Sequence, residues 1–306
     1  MPRTRSSLAR LLQALVLALL AVSAAWCAWF WPRSIGLAAA GFLAIALGYS
    51  GALAFEFIAL RRVNRPDPVP PASRFALARA WLAETMQAPR VFGWRQPFRW
   101  NAIPDQVTDG GRSQGRRGVV FIHGFICNRG FWTPWLRQAR ARGHPFIAVN
   151  LEPLFGSIDD YAPTIDHAVT ALTAATGLPP LLVCHSMGGV AARAWLRAGA
   201  NAARVHRVVT IGSPHQGTWL GQFSRMRNGR QMASGSDWLR QLAADCAARA
   251  QPGFTCWYSN CDNVVFPSSH ATLPGADNRL VTGAAHVELA FHPTVMAQTL
   301  ALLDHS

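Results

Sequence analysis

The chain has 306 residues, half of them apolar, and a net charge of +14 carried by 29 basic residues, every one an arginine. The arginines are scattered, with no recognition helix, zinc pattern or basic stripe, which argues against nucleic acid and suits an anionic membrane surface. The cysteines at 27, 127, 184, 246, 256 and 261 show no C-x-x-C spacing, so no metal site is expected. Cys256 and Cys261 are near enough in sequence to bridge in an oxidising compartment; scattered free thiols fit as well.

In chain order, residues 1–7 are polar and basic through Arg3 and Arg5, and no charge then appears from 11 to 31. That is long enough to cross a bilayer as a helix, with Trp26, Trp29 and Trp31 at its far end as an aromatic belt. After Pro32-Arg33-Ser34, a second uncharged run covers 35–55, with Gly36, Gly41, Gly48 and Gly51 expected to permit close helix approach. Glu56 sits near its end and Arg61-Arg62 close it. The simplest assignment is a transmembrane hairpin over 1–62, making the protein multi-pass in the inner (cell) membrane. Arg3, Arg5 and Arg10 before the first span and Arg61, Arg62 and Arg65 after the second, against Arg33 between them, put both ends in the cytoplasm. Two rivals remain. Residues 1–24 read as a cleaved signal peptide, with Val22-Ser23-Ala24 as its small-residue site, would place the rest outside. Buried soluble helices would need polar faces that these runs lack.

Pro66-Asp67-Pro68-Val69-Pro70-Pro71 marks a stiff linker over 63–73, and 74–306 is the remaining domain. An amphipathic helix is expected at 74–88, edge strands from the aromatic-rich 91–100, and a polar loop at 106–118. Strands and helices then alternate: strand 119–122, helix 132–142, strand 146–150, helix 158–176, strand 181–184, helix 188–197, strand 205–211. This is the α/β pattern of βαβ units on a mostly parallel sheet. Strands at 254–259 and 279–282 follow, then a last helical region from 287. Between them, 217–253 is apolar and helical (Trp219, Phe223, Met226, Trp238, Leu242), either a lid and acyl-chain wall or a packed connecting helix pair.

Within this pattern Leu181-Leu182-Val183-Cys184-His185-Ser186-Met187-Gly188-Gly189 reads as a buried strand, a tight turn and a helix start. A serine on such a turn stands clear of the sheet, and the next backbone N–H points into the same space. Ser186 is therefore the candidate nucleophile. A serine nucleophile needs a base, an orienter for that base and donors for the oxyanion. The strand at 119–122 followed by His123-Gly124-Phe125 offers the Phe125 N–H, to pair with that of Met187. Asp262, just after the strand at 254–259, is the candidate acid, with Asp277 as its rival ahead of the next strand. His286, on the loop after 279–282, is the candidate base. His123 is expected to hold its loop by hydrogen bonds, Cys127 to pack, and His292 to start the last helix; His215 and His270 are loop residues.

From about residue 118 to 303 the chain resembles bacterial lipases and esterases of the α/β-hydrolase superfamily. The resemblance is carried by His123-Gly124-Phe125, by Cys184-His185-Ser186-Met187-Gly188-Gly189, by Thr210-Ile211-Gly212-Ser213-Pro214-His215-Gln216-Gly217-Thr218, and by the run from Asp262-Asn263-Val264-Val265 to Gly283-Ala284-Ala285-His286. Cys184 departs from the usual Gly or Ala, which bears on the packing of the elbow rather than on its chemistry. The resemblance implies an α/β-hydrolase fold, a triad in the order Ser186, Asp262, His286, and ester or lipid cleavage through an acyl-serine with no cofactor. Some related lipases hold calcium, but no acidic cluster here suggests it. An acyltransferase using the same triad and an inactive membrane scaffold are the competing functions. Residues 1–90 lie outside the resemblance.

Overall fold

A computed structural model describes residues 6–107, 113–199 and 201–304. Arg3, Arg5 and part of the 106–118 loop lie outside the described residues. The two apolar runs form α1 (Ser7–Phe30) and α2 (Ile35–Val63), each started by a serine whose hydroxyl accepts an N–H of the first turn: Ser6 from Ala9, Ser34 from Leu37. Both helices are long and apolar enough to cross a membrane by length and composition, and only 11% and 22% of their most apolar stretches are buried. They fold back on each other at 31–34. A Cβ on Gly41 would fall 1.9 Å from Trp26 Nε1, so this glycine permits the close approach of the pair. Gly48 and Gly51, expected to act likewise, have nothing within 4 Å, and Gly36 meets only its neighbour Ser34.

The proline-rich segment is fastened rather than free. Asn64 exchanges hydrogen bonds with Ser268, the Asp67 carboxylate accepts the Ser269 N–H and hydroxyl, and Asn260 donates to the Pro70 carbonyl. α3 (Arg74–Ala88) takes the expected span but is not amphipathic, since Phe75, Leu82 and Met86 are exposed while Glu84 is buried. Residues 91–100 do not form edge strands. The helix instead continues through a wide π turn, Pro89–Arg95, into the short α4 (Gln96–Phe98). Pro89 lacks an N–H for the regular ladder, and a widened turn accommodates it without ending the helix. The side chain of Gln96 accepts the Asn128 N–H and its carbonyl the Asn128 amide, so this turn braces the loop after the first strand.

Among the described residues the sheet has six strands: β1 (Val119–Ile122), β2 (Phe146–Ala148), β3 (Leu181–His185), β4 (Arg207–Ile211), β5 (Phe254–Ser259) and β6 (Asp277–Val281). Their spatial order is β2-β1-β3-β4-β5-β6, and every pair is parallel. Parallel neighbours require crossovers. Four are made by α5 (Thr133–Ala141), α6 (Ala162–Thr176), α7 (Met187–Arg197), and the pair α8 (Arg227–Gln231) and α9 (Asp237–Ala247), while β5 reaches β6 through an irregular segment with one 3-10 turn, Ser268–Ala271; α10 (His286–Ala290) and α11 (Pro293–Ala301) close the chain. Alternate residues of each central strand serve opposite cores. Val120, Ile122, Leu182 and Val208 pack with α6, α7 and α9, while Val119, Phe121, Val183 and Val209 pack with α5 and α11. Burial on both faces explains why these strands read as unbroken apolar runs. A third cluster joins Phe57 and Leu60 of α2 and Leu77 and Ala80 of α3 to Cys261, Phe266 and Ala285.

One buried cation ties the irregular segment before β1 to the sheet. Arg129 donates to the carbonyls of Ala148 and Ile103 and to Asp105, while Asp105 also accepts the Ala148 N–H. Its side chain is 4% exposed. Removing one partner of a buried pair leaves the other uncompensated, so Arg129→Ala should cost about 3–5 kcal/mol, measured by chemical denaturation in detergent. A loss below about 1 kcal/mol would mean that this network does not hold the segment.

Candidate active site

Strands of a parallel sheet end together, so residues just past their C-terminal ends converge at one edge. Ser186 follows β3 there, with φ 53° and ψ −127°. A non-glycine residue held in that region is strained, and such strain persists only where its surroundings over-determine it. Here the Ser186 N–H donates to the Ile211 carbonyl at 2.9 Å and its own carbonyl accepts the Gly189 N–H at 3.1 Å. The loop after β1 passes directly over it: a Cβ on Gly124 would lie 2.7 Å from the Ser186 Cβ. Phe125 and Ile126 continue that loop, Ile126 with φ 51°. Met187 opens α7, so its N–H has no intrahelical acceptor.

The structure brings Asp262 and His286 together. Past β5, Asp262 is 1% exposed and is fixed by the N–H groups of Val264 and Val265. His286 Nδ1 lies 2.9 Å from its carboxylate. Gly212, past β4 at φ +56°, makes room for the pair, since a Cβ there would sit 2.8 Å from Asp262 Oδ2 and 3.1 Å from His286 Nδ1. Asp277 is elsewhere: β6 starts with it beside Thr255, at the opposite end of the sheet, and it is paired with Arg279 at 2.7 Å.

The other candidates are accounted for. His123 accepts the Leu151 N–H at Nε2 and donates from Nδ1 to the Gly124 carbonyl; burial pushes it down to about 4, so it stays neutral. His215 is buried on Thr210, His270 reaches the Gly217 carbonyl, and His292 precedes α11. The Cys127 thiol is pushed up to about 12 by burial, so it holds little thiolate at neutral pH. Cys184 is fully buried in the α7-side core, where its small side chain fits. All six cysteines are free, and no Cys256–Cys261 bridge forms. Among the described residues no group of three or more His, Cys, Asp or Glu could hold a metal.

Ser186 and His286 face a largely apolar cavity of about 420 Å³. The 217–253 segment divides around it. Thr218, Leu220, Ser224 and Met232 line the cavity, whereas α9 puts Leu239, Leu242 and Cys246 into the sheet core as a packed connector. Sequence reasoning missed the opposite wall: Leu53 and Glu56 of α2, Glu84 and Ala88 of α3, and Phe92 of the π turn. An acid at the end of an apolar run was the one available signal, for Glu56. Glu84 had none. It is 3% exposed and accepts the N–H groups of Val287 (3.0 Å) and Glu288 (3.3 Å), the residues next to His286.

Burial and four buried or half-buried ionisable groups set the charge here. Burial pushes His286 down, but Asp262 on Nδ1, with Glu84 and Glu56 beyond, more than offsets it, and the imidazole titrates above its ordinary value. Burial also raises Glu84 from 4.5 to about 7, against its N–H partners and the His286 charge.

The sequence matches the model of the alpha/beta hydrolase family over residues 119–300. No curated protein matches. Among solved structures, the mature Bacillus licheniformis lipase BlEst2 superposes with a TM-score of 0.57 at 16% identity, covering 66% of this chain and 96% of that one. Its propeptide form gives 0.55 at 18%, covering 67% and 53%, and Aspergillus fumigatus lipase B gives 0.53 at 16%, covering 64% and 54%. At these identities the likeness is one of fold.

Two titrations follow. His286 should show a pKa above about 6.5 by NMR of the labelled imidazole, and Asp262→Asn should lower it. Between pH 4.5 and 7 folded Glu84 keeps a proton that the unfolded chain has released, so stability falls as pH rises through that window. Glu84→Gln should remove up to about 3 kcal/mol of that slope, read from denaturation midpoints at pH 5 and 7.5. An unchanged slope would show that Glu84 ionises normally.

Proposed function

The chain belongs to the alpha/beta hydrolase family, and from that premise we propose that it is a membrane-anchored serine hydrolase cleaving carboxylic esters with apolar acyl groups. The observation that carries this reading is a strained Ser186 sharing one apolar cavity with His286, whose far nitrogen is held by a buried carboxylate. In the proposed reaction Ser186 Oγ attacks the ester carbonyl while His286 Nε2 takes its proton. The Phe125 and Met187 N–H groups receive the oxyanion, a contribution of roughly 3 kcal/mol per donor in comparable sites. Collapse of the tetrahedral intermediate expels the alcohol, which takes the proton from His286, and leaves an acyl-serine. Water, deprotonated by the same imidazole, then releases the acid. Asp262 keeps the proton on Nδ1 and stabilises the imidazolium. The apolar walls favour an acyl chain over a polar acid component.

For the anchor, the proposal is a multi-pass hairpin in the inner membrane with the hydrolase domain on the cytoplasmic side. The ends of α1 and α2 both meet that domain: Ser7 donates to Glu152, Asn128 to Ser6, and Asn64 to Ser268. Those contacts favour an uncleaved α1. Arg10, Arg61, Arg62 and Arg65 at the ends, against Arg33 at the turn, give the orientation.

Ser186→Ala should abolish labelling by a fluorophosphonate and reduce p-nitrophenyl ester turnover by at least about 10⁴. Undiminished labelling would move the nucleophile away from Ser186. A chain-length series of the same esters is expected to favour medium or long acyl groups. In a bacterial host, a C-terminal fluorescent-protein fusion should glow and an alkaline phosphatase fusion should stay inactive. The reverse pattern would put the domain outside.

A further inference from the structure

On the other side of α2 lies a second cavity that the proposed reaction does not use. Residues 54, 57, 58, 61 and 62 share one helical face of α2, Arg65 lies in the turn just after that helix, and 74, 77, 78 and 81 form the facing side of α3. Between them is a groove of about 520 Å³. Its floor is apolar, with Phe57, Ile58, Leu77 and Trp81. Its upper end is ringed by Arg61, Arg62, Arg65 and Arg74.

Among the described residues no carboxylate lines this groove. None of the four guanidinium groups has a hydrogen-bond or ion-pair partner among the described residues, whereas Arg79, Arg129 and Arg279 are each paired with an acid. Four like charges around one small cavity repel unless an anion joins them. Guanidinium groups match phosphate oxygens with paired, charge-assisted hydrogen bonds. The apolar run of α2 ends one to two turns below the arginines, the level at which lipid headgroups meet a spanning helix. Phe57 and Arg61 are one turn apart, about 6 Å along the axis, so a ligand must be anionic at one end and apolar one turn lower.

We propose that the α2–α3 groove binds the phosphate headgroup of an anionic glycerophospholipid, with Arg61, Arg62, Arg65 and Arg74 on the phosphate and Phe57, Leu77 and Trp81 against the adjoining acyl chain. The site is separate from the cavity at Ser186, which takes Leu53 and Glu56 from the opposite side of α2. It rests on α2 meeting lipid and not on the hydrolytic chemistry.

The test is calorimetric titration of the full chain in neutral detergent micelles with the uncleavable dihexyl ether forms of phosphatidylglycerol or phosphatidylcholine, or with inorganic phosphate. The glycerol lipid should bind saturably at one site, at least about tenfold tighter than either of the others, because each lacks one of the two matching features. Arg62→Gln/Arg74→Gln should weaken it by at least about tenfold while leaving p-nitrophenyl ester turnover unchanged, which also shows that the variant folds. Arg62→Lys/Arg74→Lys keeps the charge without the fork and should fall between. Should the double glutamine variant fail to fold, Arg74→Gln alone is expected to weaken binding measurably. Equal affinity for the two lipids, equal affinity for inorganic phosphate, or undiminished binding by the glutamine variants would each overturn the assignment. Micelles make the measurement indifferent to membrane face, and Ser186→Ala should bind the lipid as the native chain does.

Discussion

The site depends on one backbone conformation, the left-handed φ of Ser186 between β3 and α7. A serine does not hold φ 53° unaided. It is kept there by its N–H on the Ile211 carbonyl, by the β1 loop pressed over it at Gly124, and by Gly188, where a Cβ would fall 2.3 Å from the Ile122 carbonyl. Each of these contacts comes from a neighbouring strand in the sheet order β1-β3-β4. Parallel pairing therefore does more than build a core: it brings the constraints to the C-terminal edge where the serine stands.

The second feature of the site is its crowding of acids around one imidazole. Asp262 touches His286 directly, Glu84 holds the two residues after it, and Glu56 reaches Asn263, which in turn accepts the His286 N–H. Beyond them Glu288 is paired with Arg79, whose guanidinium also reaches the Gly283 carbonyl. Low dielectric strengthens these interactions and makes unpaired charge costly. A carboxylate behind the backbone of a histidine loop both braces that loop and biases the ring toward its protonated form.

Because Glu56 and Glu84 belong to α2 and α3, the N-terminal helices are part of the cavity rather than a tether to it. The third core cluster, the Asn64–Ser268 and Asp67–Ser269 bonds and the Ser7–Glu152 contact hold the same helices against the sheet domain. One face of α2 thus serves the cavity with Ser186 and another the arginine groove. A helix that is apolar for most of its length and chemically two-sided at its end sets the position of the cavity relative to any bilayer it occupies.

Much of this was legible in the amino-acid sequence because it depends on local pattern. Unbroken apolar runs of strand length, alternating with helical periodicity, gave the parallel α/β sheet, and the Leu181–His185 strand running into small residues marked the elbow. The two long uncharged runs were equally local, and the turns after the strands marked Ser186, Asp262 and His286 as candidates. The edge strands expected at 91–100 failed because aromatic content does not reveal that a helix will run on through Pro89 in a widened turn. Four glycines in α2 looked alike, yet only Gly41 meets Trp26, since which face points inward depends on the partner helix. Asp277 and Asp262 were separable only by inference until β6 was seen to begin beside Thr255, at the far end of the sheet from His286. Glu84, Leu53 and the pairing of α2 with α3 were decided by tertiary structure alone. Periodicity reports which face of an element is buried, but not what lies against it; that depends on contacts between segments some two hundred residues apart, such as Glu84 and Val287, which no local window contains.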